Sequence, residues 1–162
     1  MRIILVGKAA SGKDYLRKFL EEKRGMKFAV SYTTRPARVG EVDGVDYNFI
    51  SEETASHMIE NNEFYEYVRF NGWLYGTALN QITDGICNLF IMTPSGISKL
   101  KKEHRESSLI IYLDIPKYIR VDRLADRNMP GDTLTRRLEA DELDFKDFTD
   151  YDLKITEQTY TL

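Results

Sequence analysis

Met1-Arg2-Ile3-Ile4-Leu5-Val6-Gly7-Lys8-Ala9-Ala10-Ser11-Gly12-Lys13-Asp14-Tyr15-Leu16-Arg17-Lys18-Phe19-Leu20 opens the chain and decides its fold. Met1 to Val6 is an apolar, β-branched run of strand length, and Tyr15, Leu16, Phe19 and Leu20 then recur at helical spacing. Between them stands Gly-x-x-x-x-Gly-Lys, in the strand–loop–helix setting where that pattern carries meaning. Glycines let the backbone curl so that its N–H groups face inward, and the positive end of the following helix completes a cradle for a polyphosphate. Gly7, Lys8, Ala9, Ala10, Ser11 and Gly12 form this cradle, and Lys13 reaches the outer phosphates as a compact charge. Lys8 either adds positive charge there or points to solvent. After the lysine the pattern asks for a hydroxyl residue that binds Mg²⁺; here it is Asp14. An acid in a first helical turn suits the helix dipole without any metal. A carboxylate is equally a hard oxygen ligand for Mg²⁺. Both readings of Asp14 stand.

Composition narrows the rest. A chain of 162 residues makes one domain with room for a real core. A net charge of −3 speaks against broad nucleic-acid binding. The single cysteine, Cys87, lies in the apolar run Ile86 to Met92; it excludes an internal disulfide, fits a reducing compartment and is expected to be buried and inert. The N-terminal apolar run is only a strand long, so it reads as neither signal peptide nor membrane span, and a cytoplasmic home without membrane partners is expected.

Working outward from the loop, Gly25 stops the first helix after about Lys23, and Lys27 to Ser31 makes a short strand. Thr33 to Asp46 is loop, Tyr47 to Ile50 a strand, and Ser51 caps a helix ending near Asn61. Phe64 to Phe70 and Trp73 to Tyr75, joined by Asn71-Gly72, form a hairpin, so residues 31–76 are an inserted β-rich subdomain. Thr77 to Asp84 is expected as a short helix, Asn88 to Met92 as a strand, and Ser95 to about His104 as a helix. Ser108 to Asp114 is the next strand, Pro116 opens a helix to Arg127, a charged helix ends near Phe145, and Asp152 to Thr156 closes the sheet. Strands alternating with helices predict a parallel α/β sheet with helices on both faces. The core is then 1–30, 77–115 and 145–162, with a short lid region over 116–144.

Arg35 and Arg38 stand three apart beside Ser31, with Tyr47 near in sequence; guanidinium forks and hydroxyls are the shell of a dianionic monophosphate. Glu66 lies among aromatics, where a carboxylate can accept from the N1–H and exocyclic amine of guanine, a pair of donors that adenine lacks. The Thr77 hydroxyl can serve the guanine carbonyl. Arg123 and Arg127 share a helix face.

Ser31-Tyr32-Thr33-Thr34-Arg35-Pro36-Ala37-Arg38-Val39-Gly40-Glu41, with Asp43 to Phe49, Phe64 to Tyr67 and Tyr75-Gly76-Thr77, closely resembles the guanylate kinase family. The resemblance covers nearly the whole chain and is strongest over residues 31–77. It implies the fold of P-loop nucleoside monophosphate kinases and transfer of the ATP γ-phosphoryl group to GMP with Mg²⁺. It assigns Ser31, Arg35, Arg38, Tyr47 and Tyr75 to the GMP phosphate, with Glu41 in support, and Glu66, Gly76 and Thr77 to the base. The lid arginines that match are Arg127 and Arg137, which join Lys13 and Arg38 as catalytic groups, with Arg123 on the ATP side. Arg120 and Arg136 fit a salt-bridged surface beside Asp122, Asp126 and Glu139.

Three departures from the family qualify that implication. Thr93 stands where an acidic residue that helps hold the metal or the guanine amine is usual, while Asp14 is an acid where a hydroxyl is usual; the two exchanges can compensate. Lys8-Ala9-Ala10 replaces the usual Pro-Ser-Gly, and the C-terminal helix usual in the family is not seen after the last strand. The competing expectation is therefore a catalytically weakened guanylate-kinase-like module that binds GMP or a peptide. A regulatory GTPase is excluded, since no Asn-Lys-x-Asp guanine motif is present.

Overall fold

The computed structural model describes residues 1–70, 72–125 and 133–157. Its first strand, β1 (Arg2–Gly7), is flanked by β7 (Asn88–Ile91) and β8 (Ser108–Leu113), both parallel to it. β2 (Lys27–Phe28) and β9 (Leu153–Ile155) form the edges, giving a five-stranded sheet in the order β2-β7-β1-β8-β9. Parallel strands with both faces covered need apolar residues at every position rather than alternately. β1 obeys this. Ile3 and Leu5 pack on one side with Leu16, Leu113 and Ile119; Ile4 and Val6 pack on the other with Phe90, Ile97 and Tyr112.

The first side is covered by α1 (Lys13–Arg24) and α5 (Lys117–Ala125), the second by α3 (Pro94–Ser98) and α6 (Leu134–Phe145). Tyr112, Phe145, Phe148 and Tyr151 close the second face as an aromatic cluster.

The inserted segment builds its own sheet: β3 (Tyr32–Thr33), β4 (Asn48–Phe49), β5 (Phe64–Phe70) and β6 (Trp73–Ala78), ordered β4-β3-β6-β5. α2 (Glu52–Glu60) follows β4, capped as expected by the Ser51 hydroxyl, which accepts from the Thr54 N–H. The described residues thus form a mixed α/β fold of two sheets.

Two expected helices are corrected. Thr77 is strand rather than the start of a helix: β6 continues to Ala78 because Thr77 pairs with Glu66, and only a turn of 3-10 helix, Leu79–Gln81, follows. Ser95 to His104 is not one helix but α3 and a separate α4 (Lys102–Glu106), because α3 ends in a cap at Lys99. Cys87 is half-buried rather than buried, and burial pushes its thiol pKa up. Among the described residues no helix is long and apolar enough to cross a membrane. Arg127 and the expected lid loop, residues 128 to 132, lie outside the described residues.

Candidate active site

The loop between β1 and α1 sits at the carboxyl end of the central strand, where open α/β sheets bind their ligands. Gly7 has no room for a side chain: a Cβ there would stand 2.6 Å from the Ser11 hydroxyl and 2.8 Å from the Leu113 carbonyl. Ala10 and Gly12 take positive φ, at 59° and 94°, which turns the backbone twice within three residues. Gly12 caps α1 without a side-chain hydrogen bond, and the N-terminus of a helix is a setting that favours an anion. The Lys13 ammonium curls back over the loop, donating to the carbonyls of Gly7 (2.7 Å) and Lys8 (3.0 Å). Asp14 is exposed in the first turn, and its charge is felt by the phenol of Tyr47 across the cleft.

Tyr47 belongs to a second cationic site. Arg35 is 5% exposed, donates to Glu41 Oε1 (2.9 Å) and the Pro36 carbonyl (2.7 Å), and lies over the Tyr47 and Phe49 rings. Burial opposes the Arg35 charge, but the Glu41 carboxylate more than offsets it and its pKa is raised. The other Glu41 oxygen accepts from the Arg38 N–H at 2.7 Å, so one carboxylate fixes both the side chain of Arg35 and the backbone of Arg38. The Arg38 side chain is open to solvent, yet partial desolvation and then the charges of Arg35 and Arg137 lower its pKa. Three guanidinium groups thus converge from the insertion and from α6, an arrangement that an anion relieves. Tyr75 packs edge-on against Tyr47 at 6.0 Å. Burial, and then the Tyr75 phenol, push the Tyr47 pKa up to about 12, so it stays a hydroxyl donor. Ser31 flanks β3, where its carbonyl accepts from the Asn48 N–H.

Next along β5 is Glu66, 9% exposed and aligned with Thr77 across the β5–β6 ladder. The Thr77 hydroxyl donates to Glu66 Oε1 at 3.0 Å. Burial pushes the Glu66 pKa up to about 7, against the Thr77 hydrogen bonds and the more distant Lys99. A buried carboxylate with one side-chain donor has acceptor capacity to spare. Gly76 admits no Cβ, which would sit 2.8 Å from the Glu66 carbonyl, so glycine lets the two strands close here. Thr93 caps α3, accepting the Gly96 N–H at 3.1 Å, and the backbone of Gly96 lies close to Glu66 Oε2.

Helices α5 and α6 bring a connection that sequence reasoning missed. Arg123 donates to the Ala10 carbonyl at 3.0 Å. Arg120 is no surface residue: it is 1% exposed, donates to the Ile115 carbonyl, and reaches Asp141 (3.2 Å) and Glu142 (3.4 Å) on α6. Lys8 points neither to solvent nor freely into the cradle, being paired with Glu142 at 2.8 Å. Asp141 Oδ2 accepts the Ala9 N–H of the loop at 2.9 Å. The one sequence sign of this contact was spacing, since Asp141 lies one turn after Arg137 and shares its face.

The residues present also suit a magnesium-bound nucleotide. Asp14 is an exposed hard oxygen donor beside the loop, whereas the Thr93 hydroxyl is engaged at the α3 cap.

Comparison with known proteins points to one family. The guanylate kinase family model matches residues 1–160. A guanylate kinase of Chlorobium luteolum is 35% identical over 149 residues, spanning 88% of this chain and 76% of that protein. One of Chlorobaculum tepidum is 32% identical, spanning 94% and 82%. The crystal structure of guanylate kinase from Anaplasma phagocytophilum superposes with a TM-score of 0.73 at 26% identity, covering 97% of this chain and 77% of that one.

Proposed function

The chain belongs to the guanylate kinase family, and from that premise we propose that it is an ATP:GMP phosphotransferase, giving ADP and GDP. The observation that carries the substrate assignment is Glu66: buried, raised in pKa to about 7, and answered only in part by the Thr77 hydroxyl. Such a carboxylate gains most from a ligand edge with two adjacent donors, which guanine offers and adenine does not.

In this reading Arg35, Arg38, Tyr47, Tyr75 and Ser31 hold the GMP phosphate, Glu41 positions the two arginines, and Glu66, Gly76, Thr77 and Thr93 surround the base. Gly7 to Asp14 and Arg123 hold ATP. Transfer needs no covalent intermediate; it needs donor and acceptor aligned and the charge on the moving phosphoryl group matched. Lys13, Arg38 and Arg137 supply that match from three directions, and Arg127 is the further lid arginine. Mg²⁺, held through Asp14, would neutralise the ATP phosphates when bound.

Calorimetry with GMP, AMP, CMP and UMP in the absence of ATP tests the acceptor assignment. GMP alone should bind well. Equal affinity for all four would sink the role given to Glu66.

A further inference from the structure

Resting on the ATP site just proposed, we infer that Asp141 is a built-in competitor for the nucleotide's phosphates: its carboxylate takes the Ala9 N–H of the phosphate loop, and ATP must displace it to bind.

The contact is built rather than incidental. Asp141 Oδ2 accepts the Ala9 N–H at 2.9 Å and is held there by the buried Arg120, whose NH1 donates to the same oxygen at 3.2 Å. Next to it Glu142 holds Lys8 at 2.8 Å and meets Arg120 at 3.4 Å. Two consecutive carboxylates on α6 thereby engage two consecutive loop residues, an amide at Ala9 and an ammonium at Lys8. Lys13 and Arg137 contribute to the positive field around Asp141.

An amide in a phosphate cradle and a carboxylate oxygen make a charge-assisted hydrogen bond of the kind a phosphate oxygen makes. The two anions repel, so they cannot share the cradle. Nucleotide binding must therefore shift Asp141, and with it α6, the helix that carries Arg137. The donor site and the lid arginine are then coupled through the Ala9–Asp141 hydrogen bond and the Lys8–Glu142 pair beside it. Competition of this kind lowers apparent affinity by the fraction of molecules in which the site is open.

The test is calorimetry of magnesium ATP, without GMP, on the wild type, Asp141→Asn, Asp141→Ala and the control Asp144→Asn, each checked by thermal melting. Asp141→Ala should bind ATP about tenfold more tightly, as for a resting state closed in roughly nine molecules of ten, with Asp141→Asn between it and the wild type. Asp144→Asn and the GMP affinity of all four should stay at wild-type values. Unchanged or weaker ATP binding in both folded Asp141 variants would overturn the proposal, even where GMP binding and turnover uphold the enzyme reading. Should the variants not fold, pyrophosphate is titrated into the wild type while the Ala9 amide and Asp141 carboxyl carbon resonances are followed. Both should move over the same concentration range. Movement of Ala9 with a fixed Asp141 would overturn the inference.

Discussion

Replacing Glu66 by Gln should stabilise the empty protein at alkaline pH while weakening its hold on GMP. Burial raises the Glu66 pKa from an ordinary value of 4.5 to about 7. The folded protein therefore keeps a proton that the unfolded chain releases between those values. Stability must fall as pH rises through that window and level off above it. At roughly 1.4 kcal/mol per pH unit, the charged Glu66 costs the folded state about 3 kcal/mol at about pH 8. An amide removes that cost, apart from about 1 kcal/mol for imperfect hydrogen bonding to Thr77. Urea unfolding between about pH 4 and pH 8 should show Glu66→Gln about 1 kcal/mol less stable than wild type in acid and about 2 kcal/mol more stable in base, the two curves crossing between. The same variant should lose about 1.5–3 kcal/mol of GMP affinity and little for AMP, because one charge-assisted acceptor is replaced by a donor. Wild-type GMP affinity should drop about fourfold between about pH 8 and about pH 6.5, above the second phosphate ionisation near about pH 6, and the variant's should not. Parallel pH–stability curves for the two proteins, or equal losses for GMP and AMP, would refute the reasoning.

Other perturbations reach the remaining parts of the site. Arg35→Lys loses the fork that reaches Glu41 and Pro36 together; GMP binding measured by calorimetry should weaken by about 1.5–3 kcal/mol. Gly76→Ala forces a Cβ to 2.8 Å from the Glu66 carbonyl, so urea denaturation should show a loss of about 1–3 kcal/mol together with lower GMP affinity. Asp14→Asn should bind metal-free ATP better and lose much of the benefit of Mg²⁺, seen in ATP titrations with and without the ion. Asp14→Thr should be a poorer enzyme and should recover with Thr93→Asp, which keeps the α3 cap because aspartate caps as well as threonine. Higher turnover in Asp14→Thr alone would break the compensation between positions 14 and 93.

The fold was legible where local chemistry and burial agree. β1, its glycine loop and α1 follow from a short apolar run, two glycines with set tasks and a helical stripe. The Ser51 cap and the Phe64–Phe70 hairpin strand were equally plain. Thr77 to Asp84 misled because its polar composition hid a cross-strand tie to Glu66, which only the partner strand reveals. The run from Ser95 to His104 looked continuous, and nothing local marked the break that separates α3 from α4. In the site, Arg35, Arg38 and Tyr47 could be grouped because they are close in sequence. Arg120, Asp141 and Glu142 could not: Ala9 and Lys8, which Asp141 and Glu142 meet, lie more than a hundred residues away, and Arg120 meets the two carboxylates on a different helix. Asp122 and Glu139 made a surface role for Arg120 look natural, whereas its side chain is one of the most deeply buried in the protein.

Turnover measured as ADP release in the presence of ATP and Mg²⁺, with GMP, AMP, CMP or UMP as acceptor, tests the central claim most directly. The account predicts sustained ADP release with GMP, matched by formation of GDP, and little with the other three. Tight, selective GMP binding without any ADP release would contradict it and favour a module that has kept the acceptor site and lost catalysis.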